Sequence, residues 1–95
     1  MTKLVLSTLL MVFFASSASA ECYADYKAKR DDPLRLHYGV IELPGDICSQ
    51  GSAVQRYIER QLSNNDWELL NVLSVFGRDA LDGKKADAGQ FYLRY

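Results

Sequence analysis

The sequence is poor in the residues that do chemistry. Its 95 residues include one histidine, His37, one tryptophan, Trp67, two cysteines, Cys22 and Cys48, and two prolines, Pro33 and Pro44. A serine, threonine or cysteine nucleophile needs a histidine or an equivalent base within hydrogen-bond reach. The single histidine sits in an extended pattern between Leu36 and Tyr38, the setting of an ordinary strand side chain. Two cysteines and one histidine at unrelated spacings cannot supply the four ligands of a zinc site. Asp79, Asp82 and Asp87 miss the spacing of a calcium loop and have Lys84 and Lys85 among them. The adjacent carboxylates Asp31 and Asp32 precede Pro33, which suits a turn better than a facing acid and base. A non-enzymatic protein without metal or cofactor is therefore expected.

An excess of positive charge is also missing. All 12 acidic residues and all but Lys3 of the 11 basic ones lie after residue 20, a net charge of -2 there. That balance argues against nucleic acid as a partner. The small basic cluster of Lys27, Lys29 and Arg30 is offset by Asp25, Asp31 and Asp32 and reads as a solvated face. No apolar run approaches the ~20 residues of a bilayer span. The longest, Leu4 to Phe14, is interrupted by Ser7 and Thr8.

That run has another meaning. Lys3 precedes it and Ala18-Ser19-Ala20 follows it, the pattern of a signal peptide over residues 1–20 cleaved before Glu21. The small residue that lipid attachment would need directly before the first cysteine is replaced by Glu21. The expected product is one domain, residues 21–95, periplasmic or secreted and with no membrane span. In an oxidising compartment Cys22 and Cys48 are expected to form a disulfide, and they lack the Cys-x-x-Cys spacing of a redox-active pair. A domain this short buries only roughly 60% of its unfolded surface, so a covalent staple or a partner is welcome.

Periodicity supplies the elements. Leu34 to Leu43 alternates and then shifts phase at Ile41, which predicts a strand with a bulge near Gly39. Pro44-Gly45-Asp46 breaks it. Ser52 and Gln55 fit a capping box, and Val54, Ile58 and Leu62 form the apolar stripe of a helix over 53–63, which Asn64-Asn65-Asp66 ends. Trp67 to Phe76 reads as a strand, as does Gln90 to Tyr95, with a mobile loop over 77–89 that carries a helical turn near Asp79 to Leu81. Cys22 to Lys29 alternates as a strand would, although Cys22, Tyr26 and Arg30 would also share a helix face; a hairpin with 34–43 is favoured. The expected fold class is α+β, a small antiparallel sheet of three to four strands with one helix packed on one face, stapled by one disulfide.

The segments His37-Tyr38-Gly39-Val40-Ile41-Glu42-Leu43-Pro44, Asn65-Asp66-Trp67-Glu68-Leu69 and Phe91-Tyr92-Leu93-Arg94 stand in the order strand, strand after a helix, closing strand. Over roughly residues 36–95 the chain resembles a family of small bacterial domains of unknown function with a Gly-Trp-Glu-Leu element. Asp66 stands where that family has glycine. The resemblance implies a fold and no activity.

If the helix covers one sheet face with Leu36, Tyr38, Trp67, Leu69, Leu73, Phe91 and Leu93 beneath it, the reverse face shows Leu70, Val72, Phe76 and Tyr92. Such a patch reads as an interface for a protein partner or a second copy. The competing expectation is that 22–33 folds over it. The function expected is that of an exported interaction domain or accessory subunit of the bacterial envelope; the alternative is a small inhibitor that inserts the 77–89 loop into an envelope hydrolase.

Overall fold

The computed structural model describes residues 21–95. The signal peptide expected over residues 1–20 lies outside the described residues. Strand β1, Cys22–Arg30, is central in a three-stranded antiparallel sheet of order β2-β1-β3, with β2 at Arg35–Leu43 and β3 at Glu68–Phe76. Its alternation serves both faces. Cys22, Ala24, Tyr26 and Ala28 are buried on the helix side, while Tyr23 and Asp25 are buried on the other. The hairpin turn between β1 and β2 passes through Asp32 at φ 62, a left-handed position that aspartate tolerates better than most residues.

β1 and β2 pair without interruption from Cys22↔Leu43 to Arg30↔Arg35, so the bulge expected near Gly39 is absent. The change of apolar phase in β2 has a different cause, because both of its faces are covered. His37, Ile41 and Leu43 lie toward the helix, whereas Tyr38 and Val40 lie toward a second layer. Gly39 is opposite Tyr26, whose ring fills the space above it: a Cβ at Gly39 would stand 2.9 Å from Tyr26 Cε1 and closer still to Cζ and the hydroxyl. Tyr26 is 1% exposed and cannot swing away into solvent without emptying the core. Gly39→Ala is therefore expected to lower the unfolding free energy by about 1–3 kcal/mol in a urea titration. Gly51→Ala, where nothing lies within 4 Å, is expected to show no such loss.

The irregularity that periodicity placed in β2 occurs in β3 instead. The register against β1 shifts between Asp25 and Tyr26 and again between Lys27 and Ala28, leaving Leu73 and Leu70 as extra residues on β3. Two bulges stretch the inward spacing from two to three. Leu69, Val72 and Val75 therefore stand opposite Ala28, Tyr26 and Ala24 on the helix side.

Helix α1, Gly51–Ser63, buries Val54, Ile58 and Leu62 against that side. The expected capping box does not form: the helix begins before Ser52, Gln50 holds the N-cap position and no side chain caps it. The exit does follow the Asn64-Asn65-Asp66 signal. Asp66 is left-handed at φ 65, and the Trp67 amide donates back to the Leu62 carbonyl at 3.0 Å. The Cys22–Cys48 disulfide ties the start of β1 to the link that precedes α1.

The closing strand expected over 90–95 is not formed. Residues 78–91 fold instead into short 3-10 turns at Arg78–Ala80, Asp82–Lys84 and Gly89–Phe91, with helix α2 at Lys85–Ala88. Beyond them the chain makes one isolated parallel bridge, Val40↔Tyr92, and the Leu93 amide donates to the Val40 carbonyl at 2.8 Å. The tail's apolar alternation is real but serves a wrap around the edge of β2. Phe91 and Tyr95 reach the helix-side core, while Tyr92 reaches the opposite one. Leu81 and Ala88 are buried over Tyr23 and Val40. The reverse face is thus covered by this C-terminal segment and not by 22–33, which supplies the central strand.

Candidate functional site

Three places on the fold gather side chains of interest. The first surrounds His37, held by β2 on the helix side. Its Nε2 is 2.9 Å from the Tyr26 hydroxyl, Phe91 stacks on its ring at 3.7 Å, and Trp67 meets it edge-on at 4.3 Å. Trp67 Nε1 donates to the Tyr95 hydroxyl at 3.1 Å. Outside this stack the Arg30 guanidinium lies 4.1 Å from the Trp67 ring centroid and donates to the carbonyls of Asn65 and Asp66. Burial, with the Arg30 charge adding to it, pushes His37 down to about 4, and burial also pushes the Tyr26 hydroxyl up. His37 Nδ1 is buried and has no hydrogen-bond partner among the described residues. The cluster holds a neutral imidazole that fastens the C-terminal tail to the sheet, and its hydrogen-bonding partner among the described residues is the buried Tyr26 hydroxyl.

The second place is Asp25, 4% exposed on the opposite face. It accepts hydrogen bonds from Ser74 Oγ at 2.6 Å, the Tyr38 hydroxyl at 2.8 Å and Lys84 Nζ at 3.1 Å. Burial by itself would raise this carboxyl, but those three bonds and the Lys84 charge outweigh it and hold the group below its ordinary value. Tyr38 is pushed up to about 12 by burial and by the Asp25 carboxylate. With Leu81 and Ala88, this network docks residues 78–88 onto the sheet, so the segment expected as a projecting loop is packed.

The third place is the part of the sheet that the C-terminal segment leaves bare. Of the four residues expected to share one interface, Leu70 alone is exposed, at 48%. Val72 is half-buried against the helix-side core, and Phe76 and Tyr92 are half-buried in the second cluster. The bulges separate them, since each extra residue in β3 reverses the parity that would have put 70, 72 and 76 on one face. Leu70 instead meets Leu36, 65% exposed, at a recess of about 250 Å³ that Lys27 and Tyr38 also line. Leu36 and Leu73 were expected beneath the helix. Leu36 pairs with Lys29 and so belongs to the other face, and Leu73 is the extra residue of a bulge. No feature of the sequence marks those bulges.

Larger than this recess is one of about 380 Å³ at the end of β2, lined by Glu42, Tyr57, Arg94 and Tyr95 among others. Among the described residues no group of three or more His, Cys, Asp or Glu side chains could hold a metal ion, and no helix is long and apolar enough to cross a membrane. No family model, no curated protein and no solved structure matches the chain.

Proposed function

We propose that the protein is an exported, non-enzymatic interaction domain of the bacterial cell envelope that acts by contact with protein. One observation carries the reading. Leu36 and Leu70, 65% and 48% exposed, share one recess on the face away from the helix, and along β3 Leu73 and Val75 are also exposed at 40% or more. Apolar side chains left together on the surface of a small domain mark a contact surface. Export is supported by the Lys3 to Ala20 pattern and by the disulfide, which persists in oxidising compartments.

Photo-crosslinking in living cells tests the reading. A photoreactive residue at position 36 or 70 of the full chain is expected to give discrete protein adducts, whereas one at the exposed helix position Glu59 gives none. Equal or absent adducts at all three positions would refute contact through this surface.

A further inference from the structure

The C-terminal tail is lightly held. Ala88 is buried but none of residues 89–95 is, and the tail meets the edge of β2 through the Leu93 amide, which donates to the Val40 carbonyl at 2.8 Å. We infer that residues 89–95 are an acid-released strap: a proton on His37 frees them from the sheet while the three strands and α1 stay folded. This goes beyond the interaction reading and does not rest on it.

The strap is fastened at the ring of His37. Phe91 stacks on that ring at 3.7 Å with 13° between the planes, and Tyr95 lies 6.3 Å away, its hydroxyl accepting from Trp67 Nε1 and its carbonyl from Gln61 Nε2. The ring is 8% exposed, so the stack keeps water from it. An imidazolium has two N–H donors to satisfy. Nε2 can donate to the Tyr26 oxygen, 2.9 Å away, but Nδ1 has no partner among the described residues. The groups that face His37 are Tyr26 and Arg30 from β1, Trp67 ahead of β3, and Phe91 and Tyr95 from the tail. None is a carboxylate. The tyrosines are phenols, which carry no charge in acid, and Arg30 repels a second cation. The attraction of the Phe91 face for a cation is smaller than the cost of stripping an imidazolium of water. Proton and tail therefore compete for one ring.

The backbone supplies a hinge and a bias toward release. Gly89, directly after the buried Ala88, has φ 55 and ψ -125, a conformation open to glycine and costly for other residues. Leu93 is also left-handed, at φ 55, and its strain is relieved when the tail lets go. Release leaves the Val40 carbonyl without its donor at the edge of β2, so acid gives the sheet a second open edge.

Amide exchange of the protein, exported by its host and purified with its disulfide intact, tests the strap. Between pH 7.5 and 4.5 the protection of the Leu93 amide, corrected for the intrinsic effect of pH, is expected to fall at least about tenfold. The fall follows from the gap between about 4 for the strapped ring and 6.5 for a solvated one. Exchange at Leu93 is expected to depend little on urea, as a local opening does, whereas the Ile58 and Leu62 amides of α1 stay better protected and follow global unfolding. His37→Phe keeps a ring for the stack and removes the proton, so Leu93 protection is expected to be flat with pH. Phe91→Ala is expected to lower Leu93 protection about tenfold already at pH 7.5, with an unchanged circular dichroism spectrum. Leu93 protection that is indifferent to pH, that keeps its slope in His37→Phe, or that matches α1 at every urea concentration overturns the inference. So does a Phe91→Ala protein in which Leu93 is as protected as before.

Discussion

Replacing Cys22 and Cys48 by serine is expected to lower the unfolding free energy by about 3.5 kcal/mol, the chain-entropy value for a crosslink of this span. The two cysteines are 26 residues apart and joined in the folded state. A domain of this size has a total stability of order 4–11 kcal/mol, so the bond accounts for a third or more of it. The position of the link enlarges the effect, because Cys22 is 5% exposed at the start of the central strand and Cys48 packs against the same core. Two serine hydroxyls would stand at this site in place of sulfur, and the one at position 22 would be desolvated. Urea titration of the oxidised protein, the reduced protein and the double variant checks this. Agreement between the last two, both well below the first, is the expected pattern. A loss below about 1 kcal/mol would show that the chain is held by its packing alone.

Acid is expected to cost nearly as much through His37. Its folded-state value is about 4, depressed from 6.5 by burial and by Arg30. The unfolded chain therefore takes up the proton first as pH falls, and stability declines from about pH 6.5 downward until the folded protein is also protonated, near pH 4. The full difference amounts to roughly 3 kcal/mol. Imidazolium is poorly accommodated here. Aromatic rings pack on His37, Nδ1 has no hydrogen-bond partner among the described residues, and Arg30 is the charged group that bears on it. Asp25 works in the same direction but in a lower window, since its carboxyl is held below 3.8 and its contribution is lost only as that range is reached. Denaturant titrations at pH 7.5, 6, 5 and 4.5 separate the two. His37→Gln is expected to be less stable at pH 7.5 and to show a much flatter dependence between pH 6.5 and 4.5. A variant with the slope of the native protein would assign the acid sensitivity to carboxylates.

Much of this architecture was legible residue by residue. Val54, Ile58 and Leu62 spaced by four define a helix face before any partner is known, and Asn64-Asn65-Asp66 marks its exit because those side chains tolerate the left-handed turn. Cys22 with Cys48 after the sequence pattern of an export signal implies the bond. Alternation over 22–29 favours a strand, whereas cover on its second face by the C-terminal segment had no signal in that alternation. Other features have no local signature. The bulges at Leu70 and Leu73 show only in the register of β3 against β1, and each reverses the face of the residues beyond it. Phe91, Leu93 and Tyr95 alternate like strand residues, yet the left-handed backbone at Gly89 and Leu93 turns the tail around the edge of β2. The interface drawn from simple alternation therefore scattered to three surroundings, and Leu36 with Leu73 emerged where burial was expected.

The sequence by itself determined the covalent staple, the helix face, the antiparallel strands and the shortage of catalytic groups, because each depends on residue type or on spacing within a few residues. Which strand lies in the middle, which segment covers the reverse face and which leucines stay in solvent were decided by tertiary structure. Those outcomes depend on register between distant segments, and a single extra residue in one strand inverts the faces without changing any local preference.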